Sequence, residues 1–82
     1  MNVTVLYFAV VRELVGLEEE RLALPASVTT VSALGEHLAA RHPALAGRLG
    51  PVRFARNEVF ASADEALAEG DVVALIPPVA GG

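Results

Sequence analysis

Polar and apolar residues alternate over Asn2-Val3-Thr4-Val5-Leu6-Tyr7-Phe8, placing Val3, Val5 and Tyr7 on one face and Leu6 and Phe8 on the other. The segment is rich in β-branched and aromatic residues and predicts a first strand. Ala9 to Val15 then reads as a short helix that Gly16 can end, because glycine accepts the left-handed conformation common just past a helix. Alternation returns at Glu20-Arg21-Leu22-Ala23-Leu24, a second strand antiparallel to the first, ended by Pro25. From Thr30 the period lengthens: Val31, Leu34 and Leu38 recur every three or four residues, which predicts a helix capped near Thr30 and stopped before His42-Pro43. Gly35 inside that helix costs about 1 kcal/mol relative to alanine, so it suggests that something approaches closely there.

Ala44 to Gly50 is a loose connection, and Val52 to Asn57 alternates apolar with charged as a half-exposed strand does. Asn57-Glu58 reads as a tight turn into a short edge strand at Val59-Phe60. Ala66-Leu67 reads as one helical turn, closed by a turn at Glu69-Gly70-Asp71. Asp71 to Ile76 is nearly continuous apolar sequence, the pattern of a central strand buried on both faces. One main helix packed across a mixed sheet, with the last strand parallel to the first, is an α+β arrangement of the β-grasp, or ubiquitin-like, type. Residues 1–76 form the expected domain and 77–82 an extended tail.

Composition narrows what such a domain can do. The 82 residues are 54% hydrophobic and 20% charged, enough apolar surface for a single core but no room for a second. A net charge of −4 disfavours nucleic acid, whose phosphates need a concentrated basic patch. No apolar run approaches the ~20 residues that span a bilayer, so a soluble, cytoplasmic protein with no membrane contact is expected. With no cysteine there are no disulfides, thiolate metal sites or cysteine nucleophiles, and with no lysine there is no Schiff-base chemistry. His37 and His42 stand five apart where a helical metal pair would stand three or four apart, so no metal site is expected. The serines lack a nucleophile elbow, and Glu18-Glu19-Glu20 reads as a solvated loop.

The tail is therefore where chemistry is to be sought. Pro77-Pro78-Val79-Ala80-Gly81-Gly82 favours an extended segment, and six residues at ~3.1 Å each would carry the terminal carboxylate roughly 19 Å outward. Gly81 and Gly82 have no side chains to obstruct a narrow channel in a partner.

Phe8-Ala9 followed by Arg12-Glu13, Asn57 ahead of an edge strand, Gly70-Asp71 before the last strand, and Pro77-Pro78-Val79 before Gly81-Gly82 together resemble the small, sulfur-carrying subunit of molybdopterin synthase. The resemblance spans essentially the whole chain; Ala80 stands where a small hydroxylated residue is usual. It implies a carrier that is not an enzyme on its own and binds no cofactor. An ATP-dependent adenylating enzyme would activate Gly82, a sulfur donor would convert it to a thiocarboxylate, and the tail would enter the large catalytic subunit to supply sulfur for the molybdopterin dithiolene. It further implies partner contacts at Phe8, Phe60 and Ile76 and along Pro77, Pro78, Val79 and Ala80, and a heterotetrameric synthase. The same Gly-Gly end also suits a sulfur carrier for thiamin or tRNA thiolation, or a ubiquitin-like conjugation tag. A plain interaction module of this fold would not use the tail.

Overall fold

The computed structural model describes residues 1–78; Val79, Ala80, Gly81 and Gly82 lie outside the described residues. In chain order the elements are β1 (Asn2–Tyr7), α1 (Ala9–Val15), β2 (Glu19–Ala23), α2 (Val31–Arg41), a single 3₁₀ turn (Pro43–Leu45), β3 (Arg53–Arg56), β4 (Val59–Ala61) and β5 (Val72–Ile76). The five strands form one sheet in the order β2-β1-β5-β3-β4, with β1 and β5 parallel and every other neighbouring pair antiparallel. This is the expected β-grasp arrangement, with the last strand at its centre.

The core lies between the sheet and α2. Val3, Val5 and Tyr7 from β1, Val73 and Leu75 from β5, and Val31, Leu34 and Leu38 from α2 are all buried. The period-two and period-3.6 patterns thus meet at one interface, which is where the apolar area is removed from water. Gly35 faces this layer: a Cβ there would lie 3.4 Å from Cζ of Phe54. The close approach expected of this glycine is the Phe54 ring lying on the helix.

The ends of α2 explain one departure from expectation. Thr30 Oγ1 accepts from the Ala33 N–H, as its capping position requires. The Val31 and Ser32 N–H groups, which have no partner inside the helix, donate to the carbonyls of Glu65 and Ala63. Ala66 bridges Thr30, and the Leu67 N–H donates to Thr29 O. After a turn at Ala63-Asp64, residues 65–67 are therefore held along the start of α2 and do not make the helical turn that Ala66-Leu67 suggested. Satisfying the helix terminus outweighs the local preference of two good helix formers. The turn at Glu69-Gly70 is present, with Gly70 at φ 83°.

β5 departs in another way. Val73 and Leu75 are buried, but Val72 is exposed and Ala74 and Ile76 are only half-buried. Its continuous apolar run therefore marks a strand with one covered face and one apolar face turned outward.

Glu20 brings the third correction. It lies in β2 as the alternation predicts, but it is not solvated: its carboxylate accepts from the Tyr7 hydroxyl (2.8 Å), Arg41 Nε (2.8 Å) and the His42 ring at Nε2 (2.8 Å). The Tyr7 and His42 rings meet edge to face, with centroids 5.9 Å apart. Burial alone would raise the Glu20 pKa; the hydrogen bonds from His42, Arg41 and Tyr7 outweigh it and bring the pKa down to about 2 from 4.5. Burial and the bond to Glu20 push the Tyr7 phenol upward.

Because the folded-state pKa is depressed, the carboxylate's contribution is complete above about pH 4.5 and is lost as the pH falls through about 2. Glu20→Gln should lower stability near neutral pH by about 1–3 kcal/mol and flatten the loss of melting temperature between those limits. Thermal unfolding of both proteins across that acid range checks this; parallel profiles would contradict it.

Candidate docking face

The outer face of the sheet carries the residues whose exposure needs explaining. Strand register sets Leu6 opposite Ala74, Ala74 opposite Ala55, and Ala55 opposite Phe60. A row of large, small, small, large side chains makes a trough whose floor is the two alanines. Phe8, Ile76 and Val72 extend its apolar walls, and Asn57 and Glu58 close one end, giving a groove of about 540 Å³. Among the described residues no second layer covers it. Phe8 is 45% exposed and Phe60 51%, so Phe60 does not close the core. Contiguous apolar exposure on so small a protein marks an interaction surface.

Local chemistry builds the trough. Asn57 and Glu58 both have positive φ, 50° and 71°, the conformation of a two-residue hairpin turn, and this turn sets Phe60 against Ala55. Asn57 Nδ2 donates to Asp71 Oδ1, and Asn57 Oδ1 accepts from the Val72 N–H, so the hairpin is tied to the start of β5. Asp71 also accepts from Arg56 Nε and the Ala68 N–H. Burial raises the Asp71 pKa, but the bonds from Arg56, Asn57 and the Ala68 amide more than offset this and leave it lowered. β1 ends at Tyr7, one residue earlier than expected, and Phe8 precedes α1 in extended conformation with Ala9 at φ 51°. That left-handed residue costs about 1 kcal/mol or more and turns the chain into α1 just after Phe8.

Of the expected contact residues, Phe8, Phe60 and Ile76 are thus brought together on one face. Pro78 is exposed, but Pro77 is buried, so Pro77 belongs to the body of the domain and not to a projecting segment. Together with Pro78 it lies beside Val10 and Leu14 of α1 and Arg48 of the loop before β3. Val79, Ala80, Gly81 and Gly82 fall outside the described residues. The sequence reading missed the floor residue Ala55, the lip residues Asn57 and Glu58, and Arg53, whose guanidinium carbon sits 3.6 Å from the centroid of the Phe60 ring. The turn at Asn57-Glu58, once read as two residues long, sets Ala55 opposite Phe60 and would have found the floor.

Among the described residues no cluster of three histidines, cysteines or acids could hold a metal, and no helix is long and apolar enough to cross a membrane. His42 is committed to Glu20.

The sheet order, the single long helix and the apolar trough beside the last strand define a ubiquitin-like β-grasp protein. The chain belongs to the ThiS family, whose pattern matches residues 5–82. It is 45% identical over 82 residues to the molybdopterin synthase sulfur carrier subunit of Escherichia coli, covering 98% of this chain and 99% of that protein. Among solved structures it resembles SAMP1 from Haloferax volcanii, with a TM-score of 0.88, 31% identity and full coverage of both chains. It also resembles a chain in the complex of subunits 1 and 2 of the molybdopterin-converting factor from Helicobacter pylori, with a TM-score of 0.70, 25% identity and full coverage of both chains.

Proposed function

We propose that this chain is the sulfur-carrying subunit of a molybdopterin synthase, acting through Gly82 as a non-catalytic partner of a larger subunit. The observation that carries the reading is the full-length likeness to proteins of that name, within a family match that runs through Gly82. The chemistry is consistent with the residues present. A terminal carboxylate is ionised at neutral pH and a poor electrophile, so it needs a leaving group. An adenylating enzyme supplies one: a carboxylate oxygen attacks the α-phosphate of ATP, pyrophosphate leaves, and a sulfur donor then displaces AMP. The product is a thiocarboxylate, a soft sulfur nucleophile on a chain that has no cysteine of its own. The residues beyond the buried Pro77 deliver that sulfur to the pterin precursor in the large subunit, where excluded water protects it from hydrolysis. The outer trough is the surface that the large subunit and the adenylating enzyme grip.

The likeness to SAMP1, small archaeal modifier protein 1 of Haloferax volcanii, favours a second reading. There the same activated Gly82 is passed to an amine. One reconstitution separates the two. The chain, prepared with a C-terminal thiocarboxylate and mixed with the large subunit and cyclic pyranopterin monophosphate, should form molybdopterin, while the carboxylate form should not. Amide-linked products on lysines with no molybdopterin would select the second reading.

The trough yields a separate expectation. Phe60→Ala and Ile76→Ala should each weaken binding to the large subunit about tenfold to a hundredfold, the equivalent of losing ~1.5–3 kcal/mol of apolar burial. Stability should fall by less, because Phe60 is half exposed in the free chain. Calorimetric titration beside thermal unfolding decides it: unchanged affinity with a large loss of stability would assign both residues to the core.

A further inference from the structure

The trough is apolar along its floor and charged at its ends: Glu58 stands at the hairpin end, and Arg53, directly opposite Ile76, stands at the end where the chain leaves β5. Arg12, Arg41 and Arg56 are each paired with a carboxylate. Among the described residues Arg21, Arg48 and Arg53 have no such partner, and of these three it is Arg53 that is held over an aromatic ring, the exposed Phe60, at 3.6 Å. Stacking occupies a face of the guanidinium and leaves its five N–H donors, which lie in the plane, available. It also holds a long, many-rotamer side chain in one orientation, so less freedom is lost when those donors are used. An otherwise acidic protein thus presents one preorganised cation at the rim of its apolar trough, beside the root of its tail.

We propose that Arg53 is a specificity residue of the docking face: stacked on Phe60, it pairs with a carboxylate that the large subunit carries at the edge of its complementary apolar surface. A single cation set against apolar groups suits one carboxylate, held by two parallel N–H bonds. A polyanion would need several such cations and would be repelled by the net charge of −4. With Glu58 at the far end, the pairing also sets direction, because a partner lying the wrong way round brings its acid against Glu58.

The inference rests on the sulfur-carrier reading, and its test keeps the two apart. Association of the large subunit with the wild-type chain, Arg53→Met and Arg53→Lys is followed by stopped flow from about 0.05 to about 0.5 M salt, over which the screening length shrinks roughly threefold. Wild-type association should slow about threefold to tenfold across the range, the Lys variant should keep that slope, and the Met variant should change less than about twofold. Arg53→Met makes the chain more acidic, so against a broadly basic partner it would associate faster; slower association at low salt reports local pairing. Thermal unfolding of each variant in the same buffers shows that the fold is intact. A Met variant with the wild-type slope, or one that associates faster, overturns the assignment of Arg53 while leaving the carrier reading standing. A wild-type chain that does not bind the large subunit at any salt overturns both.

Discussion

Removing Gly82 should leave a chain that melts where the full-length protein melts but accepts no sulfur. The two halves of this expectation have separate physical causes. Stability is unaffected because the buried core runs from Val3 to Leu75 and the sheet ends at Ile76. Loading is abolished because the reacting carboxyl is then that of Gly81, one residue short. A tail that must reach a reacting phosphate in a closed channel cannot absorb an error of about 3 Å. Adding a residue after Gly82 tests the same point from the other side, since it converts the reacting carboxyl into an amide. Pyrophosphate exchange with the adenylating enzyme, measured beside thermal unfolding, checks both variants. Wild-type exchange by the shortened chain would remove Gly82 from the chemistry, and a large fall in melting temperature would mean that the tail is part of the fold.

The largest loss of stability is expected at Leu34. It is fully buried in the middle of α2, against the face of the sheet formed by Val5 and Leu75, which are fully buried as well. Leu34→Ala removes three carbons and leaves a void that neighbours from two layers cannot both fill. A loss of about 2–5 kcal/mol follows, a large part of the ~5–10 kcal/mol that holds a domain of this size together. The melting temperature should fall by about 10 °C or more. Denaturant unfolding with an unchanged slope and a lower midpoint is the expected result. A change near zero would place Leu34 on a surface.

The strands and helices were legible because their periodicities are unmixed: β1 alternates cleanly, and α2 keeps Val31, Leu34 and Leu38 on one stripe between a capping threonine and a proline. Where the reading failed, the deciding partner was distant in sequence. Ala66 and Leu67 are extended because α2, over thirty residues earlier, needs their segment's carbonyls. Strand alternation puts Glu20 on the face of Leu22 and Leu24, but the partners that hold its charge there, Arg41 and His42 at the end of the facing helix, are about twenty residues away in sequence. β5 looks buried on both faces because an exposed docking trough and a second core layer call for the same residues. Phe8, Phe60 and Ile76 could be assigned to one face from strand alternation and the family resemblance. Arg53 could not, since its position over Phe60 depends on side-chain geometry as well as register.

A sulfur carrier must take up sulfur at the C-terminal carboxyl of this chain. The direct measurement is the intact mass of the purified protein after incubation with the adenylating enzyme, ATP and a sulfur donor. The Escherichia coli relative serves as a parallel sample that establishes loading under those conditions. Replacement of one oxygen by sulfur should add about 16 Da, and fragmentation should assign the gain to Gly82. An unchanged mass while the relative is loaded would show that Gly82 does not carry sulfur.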